Sequence, residues 1–257
     1  MAQISVIGAG IGGMSAAARL ARQGHDVTIY ENSDRSGGKC RTEWFGDYGF
    51  DTGPSLLTLP AVYRDLFIKT GKRLENILEL TPVDPAFSYH FRDGKSVTFP
   101  NLSNPKTYLE IEKSFGSTAS QSWKKIITRS EKMWEASRES FVESELKSIW
   151  PLLKRKNLIS QIGEIAPFTS LRRLSEKLDL DPHLRMIIDR YATYTGSDPR
   201  RAPAVLLTIA FVESTFGAWH IKGGIGQLSV AIEQRCRDLG VKFEFNTLVS
   251  KILTNGN

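Results

Sequence analysis

Residues suited to disulfides or metal binding are scarce in this sequence. Cys40 and Cys236 are the only cysteines among 257 residues, and they stand far apart. Because neither belongs to a Cys-x-x-Cys pair, the sequence indicates no redox motif, disulfide or cysteine-ligated metal. The four histidines are equally scattered. We therefore expect no metal site.

Long apolar runs and a charged leader are also missing. The longest nearly apolar stretch, Ala202 to Val212, contains Thr208 and is shorter than the roughly 20 residues that cross a bilayer. Met1-Ala2-Gln3 has neither the charged nor the apolar region of a secretory signal. Since 40% of the residues are apolar, the chain can bury a substantial core. We expect a globular protein located in the cytoplasm.

The chain carries an excess of positive charge. A net charge of +6 and a pI near 9.3 are compatible with nucleic acid, acidic lipid or an anionic cofactor as partner. No RNA- or DNA-binding motif is present, so nucleic acid is not an expected partner. Basic residues cluster at 154–156 and at 200–201, and a solvated face would explain both clusters.

The first 30 residues have the pattern of a strand, a glycine-rich turn, a helix and a second strand. Ile4–Ile7 is a short β-branched run that leads into Gly8-Ala9-Gly10-Ile11-Gly12-Gly13. Small apolar residues recur over 14–21, Gly24 is placed to end the helix, and Asp26–Tyr30 predicts the second strand. In such a βαβ unit the helix N-terminus binds the phosphates of a dinucleotide.

The glycines and the following acid have separate expected roles. Gly8 permits the tight turn, Gly10 lets the backbone approach a pyrophosphate, and Gly13 lets helix and strand pack closely. Gly12 belongs to the same phosphate-binding turn. Glu31 ends the second strand, where an acidic side chain accepts hydrogen bonds from a ribose 2′-hydroxyl and would repel a 2′-phosphate. An ordinary glycine turn with a surface glutamate is disfavoured, because strand, helix and acid all fit.

The middle of the chain changes character. Phe87–Phe91 and Ser96–Phe99 flank Asp93-Gly94, a strong turn dipeptide, and predict a β-hairpin. Helical spacing follows at Ile126, Ile127, Met133, Trp134 and Phe141. We therefore assign residues 1–75 and 219–257 to one domain and residues 76–218 to an inserted domain.

The last region returns to a glycine-rich pattern. Gly223-Gly224 precedes a predicted helix, Gln227–Asp238, which Gly240 would end. Val241–Phe245 and Leu248–Leu253 predict strands, and Asn255-Gly256-Asn257 predicts a hairpin turn.

Several of these motifs resemble the bacterial-type phytoene desaturase family of carotenoid biosynthesis. The early ones, Gly37–Thr42 and Phe50–Ser55, are shared with monoamine oxidases and other flavin amine oxidases. The later ones favour carotenoid desaturases: Tyr194–Pro199 with Ala202–Ala204, and Gly217–Gly224. The resemblance extends over the whole chain and corresponds to the N-terminal half of that family.

The resemblance implies an α/β fold with FAD as the cofactor. It implies a Rossmann-type FAD-binding domain and an inserted α+β substrate domain, truncated at the C-terminus. Further cofactor-binding residues follow from it: Gly37, Gly38, Lys39, Arg41, Gly53, Pro54, Ser55 and the backbone of Val249. Lys39 stands where the wider superfamily often has Arg, and lysine does not reproduce a planar two-pronged phosphate contact. A plain core position is the alternative for Val249.

The activity implied by the resemblance is FAD-dependent desaturation of a long apolar polyene such as phytoene. Hydride would pass to the flavin and a proton to water or a base. Glu213, Asp189 and Asp198 are the candidate bases, although surface or capping positions are favoured for all three. Two alternatives stay open: a non-catalytic fragment that needs a complementary C-terminal polypeptide, and an enzyme of the flavin amine oxidase type.

An apolar substrate of this kind would be held in a membrane. The segment from Leu146 to Lys156 combines apolar residues with Lys154-Arg155-Lys156, the composition of a peripheral contact with anionic lipid. A helix packed on the rest of its domain is the alternative.

Overall fold

The computed structural model describes residues 1–138 and 163–253. The chain forms two compact units. The first unit comprises Met1–Val83 together with the residues from Ala218 onward, and the second comprises Asp84–Gly217. Each unit has its own apolar core.

The first unit is built on a parallel sheet. Strand β1 (Gln3–Ile7) and strand β2 (Asp26–Tyr30) pair in parallel from Gln3 opposite Asp26 to Ile7 opposite Tyr30. Helix α1 (Ile11–Arg22) connects them, so the predicted βαβ unit is confirmed. A parallel pair requires this kind of crossover connection.

Helix α2 (Pro60–Thr70) and two antiparallel strand pairs also belong to the first unit. Strands β3 (Thr42–Phe45) and β4 (Tyr48–Asp51) form a hairpin. Strand β5 (Leu80–Pro82) pairs with Trp219–Ile221. Because of this pairing the first unit extends to Val83, beyond the boundary at residue 75 predicted from the sequence.

The second unit opens with the hairpin predicted around Asp93-Gly94. Strands β6 (Phe87–His90) and β7 (Ser96–Phe99) pair with Phe87 opposite Phe99, and Gly94 has the positive φ of 84° that such turns need. The unit continues with helices α3 (Asn104–Phe115), α4 (Ser117–Ser137), α5 (Leu171–Lys177), α6 (Pro182–Arg190) and α7 (Thr208–Phe216).

The predicted helical stretch corresponds to α4. Ile126, Ile127 and Met133 are buried in the core of the second unit, which explains their helical spacing. Phe141 and the segment from Leu146 to Lys156 lie outside the described residues.

The chain then returns to the first unit. Strand β8 (Trp219–Ile221) is followed by helix α8 (Gly226–Asp238) and strand β9 (Lys242–Glu244). Strand β9 pairs in parallel with β2, which gives the order β1-β2-β9. Met14, Ile29 and Ile232, from α1, β2 and α8, are fully buried in one core. The helix and the first strand predicted for this region are therefore confirmed.

The strand predicted over Leu248–Leu253 is wrong. These residues are not in a strand, and Leu248, Ile252 and Leu253 are exposed. Backbone pairing ends where the amides of Asn246 and Thr247 donate to the carbonyls of Ser33 and Glu31. Apolar residues form a strand only where another strand supplies backbone partners, and none pairs with 248–253 among the residues described. The predicted turn at 255–257 lies outside the described part.

A histidine anchors the β6–β7 hairpin to α6. The ring nitrogens of His183 lie 2.8 Å from an Asp93 oxygen and 2.9 Å from an Asp181 oxygen, and the ring stacks on Phe115 with centroids 4.7 Å apart. Burial lowers the pKa of His183, but the hydrogen bonds to the two carboxylates outweigh it and hold that pKa above its usual value.

This cluster should make the stability of the second unit depend on pH. Because the folded-state pKa of His183 is raised, its contribution is fully present below the unfolded pKa of about 6.5 and is lost as pH rises through the folded value. We expect His183→Gln to lower the melting temperature by a few degrees at pH 6 and by less at pH 8. Thermal unfolding of both proteins across this range measures the effect. An equal difference at the two pH values would contradict the assignment.

Candidate functional site

The glycine-rich turn leaves the N-terminus of α1 open. Gly8 has a φ of 95°, and Gly10 is the N-cap residue, with no side chain capping the helix. A Cβ at Gly10 or Gly12 would meet no protein atom within 4 Å. At Gly13 it would lie 2.1 Å from the Gly8 carbonyl oxygen. The first three glycines therefore border free space, and Gly13 is where helix and strand touch.

This geometry fits a bound phosphate. Amides of the first helical turn have no intrahelical acceptor, and the helix dipole places partial positive charge at the same end. The first turn of α1 contains no acidic residue that would compete with an anion. Without a Cβ at Gly10, a phosphate can approach the backbone closely.

Glu31 lies beside this turn and is bound by its own chain. One carboxylate oxygen accepts from the Ala9 amide at 2.7 Å, and the other accepts from the Ser33 amide and hydroxyl at 2.8 Å. Burial raises the pKa of Glu31, but these hydrogen bonds outweigh it and leave that pKa below its usual value. The ionised carboxylate has about four acceptor positions. It therefore has room for a ribose hydroxyl.

We expect Glu31→Gln to weaken FAD binding by roughly 10- to 100-fold, the effect of losing one hydrogen bond to a charged acceptor. The glutamine retains an oxygen that can accept from the Ala9 amide. Titration of the purified chain with FAD, followed by fluorescence, measures the affinity. Glu244→Gln, on the neighbouring strand, is the matched control. Equal affinity of the Glu31 variant and the wild type would remove the ribose contact.

The predicted glycine pair lies against the same turn. The Gly37 amide donates to the Ala9 carbonyl at 2.8 Å, and a Cβ at Gly38 would lie 3.3 Å from the Gly10 Cα. Both glycines have positive φ, 109° and 58°. The structure therefore brings Gly37 and Gly38 to Gly10, a proximity that requires glycine.

The two cations after this pair differ. Lys39 is exposed and lines a cleft of about 600 Å³ beside Gly10. The Arg41 Nε lies 3.1 Å from a carboxylate oxygen of Glu43. Lys39 therefore has the position expected of a cation near a bound anion, whereas the charge of Arg41 is balanced by Glu43.

The segment after β4 lies against the backbone of Lys39. A Cβ at Gly53 would lie 1.9 Å from the Lys39 carbonyl oxygen, so only glycine fits there. Asp51 accepts from the Thr42 hydroxyl at 2.7 Å and from the Ile225 amide at 3.1 Å. Pro54 lines the cleft, and Ser55 is exposed next to it in the sequence.

The cleft wall includes residues that the sequence reasoning missed. Leu56, Leu57, Leu59 and Val62 line it, and they come from the loop before α2 and from α2 itself. The signal was an apolar run directly after Gly53-Pro54-Ser55. Since the cleft adjoins a polar phosphate-type turn and has an apolar wall, it fits a ligand with an anionic part and a planar apolar part.

Helix α8 holds the glycine pair in place, which the sequence reasoning also missed. The Ser229 hydroxyl donates to the Cys40 carbonyl, and the Ser36 hydroxyl donates to Glu233 at 2.6 Å. These partners are separated by 189 and 197 positions in the sequence. No local pattern could have identified them.

Val249, the last predicted cofactor contact, is half-buried in an irregular segment. It follows Thr247, whose amide donates to the Glu31 carbonyl at 2.8 Å. The chain two residues before Val249 is therefore bound to the backbone of Glu31, but Val249 does not lie on the predicted strand.

The three candidate bases all form ion pairs inside the second unit. Asp189 pairs with Arg172 at 2.6 Å, and Asp198 pairs with Arg200 at 2.6 Å. Glu213 is buried and accepts from Arg190 at 2.8 Å and from the Tyr194 hydroxyl at 2.6 Å. The surface or capping position favoured for Glu213 is therefore wrong, because its charge is neutralised by a partner 23 positions away.

Within the described residues, no helix combines the length and apolarity needed to cross a membrane.

Sequence similarity connects the chain with flavoproteins. The profile of the family described as "Flavin containing amine oxidoreductase" matches residues 11–257. The 4,4'-diapolycopene oxygenase of Methylomonas sp is 29% identical over 97% of this chain and 50% of the relative. The zeta-carotene-forming phytoene desaturase of Myxococcus xanthus is 31% identical over 99% of this chain and 48% of the relative. The chain thus spans about half the length of these curated relatives.

Structural similarity supports the same fold. An oxidoreductase from Methanosarcina mazei superimposes with a TM-score of 0.65 at 18% identity, over 98% of this chain and 53% of that one. The sequence resemblance to carotenoid desaturases and the α/β fold are both confirmed, and the relationship implies FAD as the cofactor. The chain belongs to the family of flavin-containing amine oxidoreductases, a family of FAD-dependent oxidoreductases.

Proposed function

We propose that the chain provides the FAD-binding half of a desaturase that acts on long apolar polyenes of the phytoene type. The observation that carries the proposal is the juxtaposition of three features in the first unit. These are the open N-terminus of α1, the ionised Glu31, and the apolar cleft that begins at Gly10. Carotenoid-modifying relatives that match nearly the whole chain support the substrate class.

FAD supplies the hydride acceptor when it is bound. The residues of this chain would bind and orient it. Glu31 would accept a hydrogen bond from the ribose, the amides after Gly10 would hold the pyrophosphate, and Lys39 would add a positive charge beside it. Leu56, Leu57 and Leu59 supply the apolar wall and exclude water from the cleft.

The substrate class follows from what the reaction would require of the protein. A polyene has no polar group that the protein must hydrogen-bond during the removal of hydrogen. An apolar site of matching shape can therefore suffice to recognise it. The lining of the cleft is mainly aliphatic and includes Ile11, Ile225 and Leu228 besides the leucines. An amine substrate would need an anionic or aromatic contact for its ammonium group. Among the described residues that line the cleft none is a carboxylate, and Tyr63 is the aromatic one.

Anaerobic reduction of the flavin tests this function. The chain is reconstituted with FAD, alone and together with the part of the Myxococcus relative that it does not cover. Phytoene in liposomes is then added, with putrescine as the amine control. The expected result is that oxidised-flavin absorption is lost on addition of phytoene and not on addition of putrescine. Reduction by putrescine would favour an amine oxidase. If neither preparation retained FAD, the proposal would be overturned.

A further inference from the structure

The β3–β4 hairpin exposes an aromatic surface that its own unit does not cover. Trp44, Phe45, Tyr48 and Phe50 are 55–73% exposed. The pairing of Phe45 with Tyr48 and of Glu43 with Phe50 places three of the rings on one face. Phe45 and Phe50 contact each other edge to face, with centroids 5.9 Å apart. We call Phe45, Tyr48 and Phe50 the aromatic face.

An exposed aromatic face of this kind is unusual on a hairpin of two strands. Within the part of the chain that the structure describes, the hairpin forms a sheet of two strands, and two strands without further packing are marginally stable in water. Contiguous exposed apolar patches commonly mark interaction sites. On the opposite face, Trp44 lies over Gly49, where a Cβ would be 3.0 Å from the indole ring. Both faces therefore expose aromatic rings.

The base of the hairpin is connected to the cofactor cleft. Thr42 and Asp51, the pair at the base, are hydrogen-bonded to each other, and Asp51 also accepts from the Ile225 amide. Ile225 lines the cleft. The base of the hairpin therefore contacts the cleft wall through side chains on the face opposite the aromatic face.

The charges of the hairpin favour a protein over a lipid surface. Asp47 lies in the turn at the tip, and Glu43 pairs with both Arg35 and Arg41. Asp34 lies 3.9 Å from Arg35 as well, so two carboxylates balance the two cations, and an acidic tip would be repelled by anionic lipid. Aromatic side chains, by contrast, are enriched at protein interfaces.

The length of the relatives indicates which polypeptide would bind to the aromatic face. The chain covers 50% of the Methylomonas protein and 48% of the Myxococcus protein, so each relative contains a polypeptide of similar size that this chain does not span. We propose that the aromatic face is the docking surface for a polypeptide equivalent to that uncovered half. The proposal rests on the proposed function, because it identifies where the complementary part of the desaturase binds.

Binding of the uncovered half of the Myxococcus relative, produced separately, tests the docking surface. A double variant, Phe45→Ser with Tyr48→Ser, should weaken the complex by about tenfold or more, the loss typical of central aromatic contacts. Phe168→Ser is the matched control, since Phe168 is 93% exposed on the second unit. Thermal unfolding of each variant alone verifies the fold, and hydrogen exchange should show protection of residues 42–51 in the wild-type complex.

Several results would overturn the docking surface. These are equal affinity of the double variant, a complex without added protection of residues 42–51, and no complex with the uncovered half of either relative. Loss of liposome binding or of self-association, with the complex intact, would assign the face to lipid or to a second copy instead. None of these readouts requires flavin reduction, so a failure of the proposed reaction can be distinguished from a failure of the docking surface.

Discussion

Replacing Gly13 with alanine should lower the free energy of unfolding by about 3 kcal/mol, the upper end of the usual cost of overpacking, and should abolish FAD retention. The new Cβ would lie 2.1 Å from the Gly8 carbonyl oxygen, 3.3 Å from the Gly8 carbonyl carbon and 3.4 Å from a methyl group of Val6. The first two are backbone atoms and cannot rotate away. Helix α1 would have to move from β1, and the turn that receives the phosphates would move with it.

Two neighbouring substitutions distinguish an effect on protein stability from an effect on FAD binding. Gly12→Ala places its Cβ in open space inside the helix, so it should retain FAD and slightly stabilise the protein, because alanine is the better helix former. Gly10→Ala also meets no protein atom, but its Cβ would occupy space expected for the pyrophosphate. We expect a normal melting temperature and weaker FAD binding for Gly10→Ala. Chemical denaturation and FAD titration of the three variants measure both effects.

A stable Gly13→Ala protein would contradict the tight contact between α1 and β1. Unchanged affinity for FAD in Gly10→Ala would contradict the close approach of the phosphates to the backbone.

The second large effect is expected in the second unit, at the ion pair of the half-buried Arg190 and the buried Glu213. Arg190 lies at the end of α6 and Glu213 on α7, and both carboxylate oxygens are 2.8 Å from the guanidinium. The guanidinium also lies 4.9 Å from the Phe87 ring centroid and 5.0 Å from that of Tyr191. The pair thus connects two helices and the first strand of the hairpin.

We expect Glu213→Ala to lower the free energy of unfolding by about 3 kcal/mol, the lower end of the cost of breaking a buried pair, because the half-buried guanidinium of Arg190 loses its counter-charge. Asp198→Ala is the control. It breaks an ion pair of similar length whose arginine is 74% exposed, and exposed pairs contribute little. The double replacement Arg190→Leu with Glu213→Leu should recover part of the loss, since it removes both charges. Urea denaturation of the four proteins provides the comparison.

Tyr194 offers a direct readout of the same pair. Burial, followed by the neighbouring Glu213 carboxylate, raises the pKa of Tyr194 to about 12. In Glu213→Ala the pKa of this tyrosine should fall toward the ordinary value of about 10, as followed by ultraviolet absorption. If Glu213→Ala were as stable as Asp198→Ala, the pair would be dispensable for folding.

Local patterns predicted the elements whose partners lie nearby in the sequence. The β1-α1-β2 unit, the hairpin around Asp93-Gly94 and helix α8 each carry their own signal, because glycine turns, apolar period and caps are short-range features. The glycine pair at 37–38 and the segment at Gly53 came from family resemblance. The structure gives their physical reason, which is contact with Gly10 and with the Lys39 carbonyl.

Contacts between residues far apart in the sequence explain the features that local patterns could not predict. Ser229 and Glu233 contact the glycine loop across almost 200 positions, and Glu213 is buried because Arg190 neutralises it. The predicted strand at Leu248–Leu253 failed for the same reason, since apolar residues do not by themselves supply a pairing partner.

The hydrogen bond from the Val83 amide to the Ala218 carbonyl has a consequence for the order of folding. It joins the two points where the chain leaves and re-enters the first unit, on either side of Asp84–Gly217. As an unstructured loop, this stretch would impose an entropic penalty on every contact between α1 and α8, one that grows with the logarithm of loop length. Once folded, it holds its own ends together and removes most of that penalty. We therefore expect the inserted unit to fold first and β9 to join β2 afterwards, so the phosphate-binding turn would gain its support from α8 late in folding.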